Sequence, residues 1–145
     1  MHSGKCVGTV IEDSAVGSDT GIFERVLRGQ DRAVSLFRRL TEEDYLGYVS
    51  CICLYELKKL RHRGVVEHRQ ADFLLDRIPR AFEVMWLDRV SVLERAAGLS
   101  HGNNVPMADA LILASCLQGR CDYLYTTNAD LIQYPGDDID VVVFE

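Results

Sequence analysis

Along most of the chain, short apolar runs alternate with stretches of helical period. Between residues 32 and 40 the apolar positions are Ala33, Val34, Leu36, Phe37 and Leu40, the three-and-four spacing of a helix with one buried face. Leu46–Ser50 predicts a short strand, and Cys51–His62 a helix that ends at Gly64. A second amphipathic helix is expected over Val65–Arg77, closed by Pro79. Phe82–Leu87 reads as a strand, and Ser91–Leu99 as a helix ending in the turn His101-Gly102-Asn103-Asn104. Pro106 is expected to open a helix reaching Gln118, because a missing N–H costs nothing at the first helical position. Cys121–Thr126 and Ile139–Phe144 are the last two strands. Before residue 19 the pattern fails, since Val7–Ile11 and Ser14–Ser18 are both short and poor as strands.

Short strands alternating with helices specify an α/β fold. The expected architecture is a three-layer α/β/α sandwich with a central parallel sheet of four to five strands. In such sheets ligands bind at the carboxyl ends of the strands, so residues just after each strand carry the functional reading. The length of 145 residues, 48% apolar, fits a single domain spanning residues 1–145, with residues 1–13 as an N-terminal extension.

Charge narrows the picture. Sixteen Lys and Arg against 22 Asp and Glu give a net charge of −6, which excludes a uniformly basic nucleic-acid surface but not a local patch. Arg dominates the cations and suits forked contacts to carboxylate or phosphate. The five cysteines, Cys6, Cys51, Cys53, Cys116 and Cys121, include no CxxC pair and mostly sit in apolar company. They read as reduced, buried residues rather than a disulfide frame or a zinc site. His62 and His68, six apart, fall on different helix faces, so a zinc reading gains nothing from them. No apolar run approaches a membrane span and no signal-peptide pattern is evident, so a cytoplasmic protein without membrane contact is expected.

Two acids stand out against apolar neighbours. Glu56 follows Cys51-Ile-Cys-Leu-Tyr55, and Asp109 sits inside Val105-Pro-Met-Ala-Asp-Ala-Leu-Ile-Leu-Ala114. Burying an ionised carboxylate costs several kcal/mol unless something offsets it, and a divalent cation is an effective offset. Each acid alone also has a structural reading. Asp109 falls in a first helical turn, where the helix dipole favours an acid by about 0.3–1 kcal/mol. Glu56 could begin the polar face continued by Lys58, Lys59 and Arg61. Further oxygen donors fall at strand ends, in Asp19-Thr20 and in Thr126-Thr-Asn128-Ala-Asp130. Oxygen ligands arriving from separate elements suit Mg2+ or Mn2+ rather than a soft metal, and such a site activates water against a phosphodiester.

Four motifs in order resemble the PIN domain, the metal-dependent ribonuclease fold of the VapC toxins and many archaeal proteins. Asp19-Thr20-Gly21-Ile22-Phe23 resembles its opening Asp-Thr-Ser/Asn-aliphatic-aliphatic motif, and Ser50 with Tyr55-Glu56-Leu57 its Ser-to-Glu-Leu segment. Val105–Ala114 resembles the aliphatic lead into Asp-Ala-Leu-Ile-x-Ala, and Thr126–Leu131 the Thr-x-Asp-x-Asp-Phe box. The separations from Asp19 to Glu56, Asp109 and Asn128 are 37, 53 and 19 residues in turn. Two positions depart from the pattern: Asn128 stands where the family usually has its fourth acid, and little of an aliphatic strand precedes Asp19. An Asn offers a carbonyl ligand but no charge. Asp13 is a rival first acid, but Asp19 completes the motif and has the better spacing to Glu56.

The resemblance implies a Mg2+- or Mn2+-dependent endoribonuclease acting on single-stranded or looped RNA. Asp19, Glu56 and Asp109 would hold the metal, and Asp130 or Asn128 would complete the pocket. Thr126 could hydrogen-bond the attacking water or a ligand carboxylate, and Ser50 would support the site. Arg25, Arg28, Lys58, Lys59, Arg61 and Arg63 are the candidate RNA-backbone contacts, although for any one of them a solvated helix face is the commoner role. A homodimer and an inhibitory antitoxin protein are the partners implied, with toxin and RNA-processing members looking alike in sequence. The alternative is a catalytically degenerate PIN-like domain that binds RNA or a protein partner. A phosphoacceptor receiver domain is excluded because no Lys lies near the end of a late strand.

Overall fold

The computed structural model describes residues 14–42 and 45–144. Asp13 and the rest of the extension, including Val7–Ile11 and Cys6, lie outside the described residues. Five strands, β1 (Ala15–Ser18), β2 (Leu46–Ser50), β3 (Glu83–Met85), β4 (Tyr123–Thr126) and β5 (Asp140–Val143), form one sheet in the order β3-β2-β1-β4-β5. Every neighbouring pair is parallel. The connections carry helices α1 (Thr20–Leu27), α2 (Asp31–Glu42), α3 (Cys51–His62), α4 (His68–Ala81), α5 (Val90–Asn103) and α6 (Met107–Gln118). A 3-10 turn, Ala129–Gln133, links β4 to β5. The expected α/β/α architecture is present, with five strands.

The central strand is the one the hydrophobic pattern fails to announce. All four residues of β1 are buried, so nothing alternates. A strand paired on both edges and covered on both faces has no polar side to show. Its side chains are small because helix α6 lies close: a Cβ on Gly17 would stand 2.6 Å from Cys116 Sγ. The register puts Gly17 beside Tyr48 and Leu124, so that face of the sheet receives α6. The buried hydroxyls of Ser50 and Ser115 meet across the same interface at 3.1 Å. On the opposite face Phe82 fills the space over Gly47, edge-on to Phe23 and stacked with Phe37 at 5.9 Å, which brings α1 and α2 onto the sheet. Cys53, Cys116 and Cys121 are free thiols buried in this core, and Cys51 is half-buried.

Several boundaries differ from the pattern's, each for a local reason. Helix α4 begins at His68 rather than Val65, because Val65 closes the turn after α3 (its N–H donates to Leu60 O at 3.1 Å) and Glu67 then caps the new helix. The Glu67 carboxylate accepts from Arg69 N at 3.1 Å and Gln70 N at 2.9 Å. Pro79 does not close α4 but sits inside its last turn. Helix α5 runs through His101 and Gly102 and stops where Asn104 turns left-handed at φ 56°. Pro106 is the N-cap of α6, not its first residue. Strands β3, β4 and β5 are shorter than the apolar runs that announce them.

Candidate active site

The chain leaves β1 toward β2 and β3 on one side, then returns to lay β4 and β5 on the other. The reversal opens a crevice at the carboxyl ends of β1 and β4, where this topology places ligands. Asp19 is the first residue after β1 and the N-cap of α1. Its Oδ1 accepts from Ile22 N at 3.1 Å, while its Oδ2 accepts from Thr127 N at 3.3 Å and from the Thr126 hydroxyl. The Thr126 hydroxyl in turn accepts from Asn128 N at 2.9 Å. Thr126, fully buried at the end of β4, therefore ties the following loop to the first acid. The loop itself packs tightly on α1, where a Cβ on Gly21 would fall 1.9 Å from Thr127 Oγ1.

Glu56 and Asp109 reach the crevice from helices. Glu56 projects from α3 and accepts from the Thr20 hydroxyl. Asp109 lies in the first turn of α6, and its Oδ2 accepts from Asn128 Nδ2 at 2.7 Å. The three acids line one cleft of about 380 Å3 together with Thr20, Glu24, Lys59, Arg63, Thr127 and Asn128. Motif and spacing announce three of these acids, Thr20 and Thr127 fall inside the quoted motifs without a role read for them, and Glu24 carries no sequence signal.

The remaining expectations divide. Asn128 is committed at both ends of its amide, with Nδ2 on Asp109 and Oδ1 accepting from Asp130 N at 2.9 Å to cap the 3-10 turn. It enters the site as a donor that holds Asp109. Asp130 is exposed outside the cleft lining, and only its backbone N–H joins the network. Ser50 lies below the site as the N-cap of α3, accepting from Ile52 N at 3.2 Å. Among the cations, helical period from Glu56 selects Lys59 and Arg63, both in the cleft lining. Lys58 falls on the opposite face, and Arg61 is forked onto Asp72 at 2.5 and 3.0 Å. Arg28 is paired with Glu24 at 2.7 Å, and Arg25 lies in the last turn of α1.

Burial pushes the Asp19 carboxyl above its ordinary value, against hydrogen bonds from Thr126, Ile22 and Thr127, and the charge of Asp109 adds to the rise. The folded protein thus holds this proton more tightly than the unfolded chain does. The stability it contributes is complete below the ordinary aspartate pKa of 3.8 and is lost as pH rises through the raised value. In chelator, wild-type stability is expected to fall relative to Asp19→Asn as pH rises from about 4 toward neutrality. Paired denaturant melts measure this, and parallel curves would contradict it.

A buried carboxylate disfavoured in its charged form, with another acid acting on it, is a site short of positive charge. The donors facing the cleft are carboxylate oxygens, hard ligands that fit a small divalent ion. Among the described residues no group of three or more His, Cys, Asp or Glu side chains stands close enough to hold a metal ion as placed.

The PIN-domain family model matches residues 18–137. Similar folds occur in three solved complexes. VapBC2 from Rickettsia felis, bound to a DNA fragment from its promoter, matches with a TM-score of 0.72 at 15% identity, covering 90% of this chain and 99% of that one. DNA-bound VapBC from Salmonella typhimurium matches with a TM-score of 0.68 at 19% identity, over 88% and 96% of the two chains. A toxin–antitoxin complex from Klebsiella pneumoniae matches with a TM-score of 0.66 at 21% identity, over 90% and 97%. No curated protein sequence matches the chain.

Proposed function

Because this chain belongs to the PIN-domain family, we propose that it is a metal-dependent endoribonuclease hydrolysing phosphodiester bonds of single-stranded or looped RNA, and the toxin of a toxin–antitoxin pair. The observation that carries this reading is the arrival of Asp19, Glu56 and Asp109 at one cleft from three separate elements. These three would hold Mg2+ or Mn2+. When bound, the ion stabilises charge developing on the phosphate and makes its water more acidic. Asp19 is oriented by the Thr126 hydroxyl and the Ile22 and Thr127 amides, Glu56 by Thr20, and Asp109 by Asn128. Lys59 and Arg63 on the cleft wall draw in the RNA backbone. Unpaired RNA suits a cleft at a sheet end, which a duplex groove does not reach. Incubated with Mn2+, the protein is expected to cut single strands and loops and to spare duplex RNA, as gel analysis of labelled substrates would show. Folded protein that leaves every substrate whole would favour the degenerate reading, for which Asn128 is the supporting observation.

Asn128 also sets a testable charge balance. Asn128→Asp removes the donor to Asp109 and places two carboxylates face to face. In chelator this variant is expected to lose on the order of 1 kcal/mol, and Mn2+ is expected to raise its Tm by more than it raises the wild type's. Thermal melts with and without Mn2+ report both.

Two protein partners accompany the reading. An antitoxin is supported by the apolar groove of about 440 Å3 between α1, α2 and α4, where Phe73 stands 65% exposed. A second copy of the chain is supported by exposed Trp86, just after β3, and by exposed Val90 and Leu93 at the start of α5. No helix among the described residues is long and apolar enough to cross a membrane, and a cytoplasmic location goes with the proposed RNA substrate.

A further inference from the structure

We propose that Tyr55 is a base-stacking platform at the rim of the cleft. An unpaired nucleotide flanking the phosphate held there lies on the Tyr55 ring, while Lys59 meets the backbone between the two. This inference rests on the ribonuclease reading above and adds to it the residue that engages a base.

Six of the twelve aromatic side chains are buried in the core, Phe23, Tyr45, Phe82, Tyr123, Tyr125 and Phe144. Tyr55 is 62% exposed, although it sits in the middle of a well-formed helix. Its place on α3 is what distinguishes it from the other exposed aromatics. It directly precedes Glu56, and four residues on, one turn along the same stripe, is Lys59, which lines the cleft. Lys59 Nζ lies 5.4 Å from the Tyr55 ring centroid. Cleft wall, ammonium and open ring therefore form one continuous surface, with Arg63 a further turn along. An anionic backbone beside a flat apolar ring is the pairing that single-stranded nucleic acid requires, and stacking tolerates any base.

The test measures binding and cleavage separately. Fluorescence anisotropy with a labelled single-stranded RNA and Mn2+ is run on the Asp109→Asn protein, with and without Tyr55→Ala and Tyr55→Phe. Steady-state kinetics are run on the same Tyr55 variants with Asp109 intact. Tyr55→Ala is expected to weaken RNA binding roughly 5- to 150-fold, with the loss appearing in KM rather than kcat. Tyr55→Phe, which keeps the ring, is expected to stay within about threefold. The slope of log Kd against log salt should be the same for Tyr55→Ala and its parent, because no phosphate contact is lost. Tyr55→Ala binding as tightly as its parent overturns the platform and leaves the ribonuclease reading standing. Tyr55→Phe as weak as Tyr55→Ala does the same, since the hydroxyl rather than the ring would then be acting. A parent protein that binds no RNA, together with wild-type protein that cleaves none, overturns both readings together.

Discussion

Asp109→Asn is expected to reduce RNA cleavage by at least about 100-fold while leaving the protein folded and close to wild-type stability. The two halves of this expectation have separate causes. Asp109 is half-buried at the start of α6, and its Oδ2 accepts from the Asn128 amide at 2.7 Å. An asparagine there still offers an oxygen to that amide, so the fold loses little. It removes one of the carboxylates at the switch-point cleft, and with it part of the field that would hold a divalent ion. Cleavage assays beside denaturant melts separate the outcomes. Equal loss of stability and activity would mean that Asp109 is structural, as its position in a first helical turn allows.

Thr126→Val is expected to cost about 2 kcal/mol, several degrees in Tm, and to cut cleavage at least tenfold. Valine matches threonine in shape, so packing at the end of β4 is preserved. The hydroxyl, however, joins two groups at once: it donates to Asp19 and accepts from Asn128 N at 2.9 Å. Without it the buried carboxylate keeps the weaker 3.3 Å bond from Thr127 N, and the Asn128 amide N–H loses its acceptor. The effect then spreads, because Asn128 holds Asp109. Thr126→Ser restores the hydroxyl and is expected to recover most of both losses. A valine variant with normal melting and normal turnover would show that the relay is dispensable.

What the sequence makes legible follows the strength of local signals. Helix α3 is readable end to end, because Ser50 caps it and a turn at Gly64 stops it. Strand β1 is not, because Ala15, Val16, Gly17 and Ser18 are chosen by close packing under α6 and by neighbours on both edges, and neither leaves a periodic mark. Boundaries slip where a cap outranks the pattern, as Glu67 does at the start of α4. In the site, the acids are found by their apolar company and by motif. Lys59 and Arg63 are separable from Lys58 and Arg61 by helical period alone, once Glu56 is taken as the reference. The double commitment of Asn128 is written only in three dimensions, since it depends on a helix start 19 residues away meeting a loop after β4.

The role proposed for these acids is to serve a divalent ion in cutting RNA. The most direct measurement is cleavage of labelled single-stranded RNA by the wild-type protein, first stripped with EDTA and then given Mg2+ or Mn2+ in excess. Cleavage that vanishes on chelation and returns with the metal, in a preparation whose Asp109→Asn counterpart stays silent, is the result predicted. Cleavage that persists in EDTA, or that the Asp109→Asn protein performs equally well, would contradict the claim.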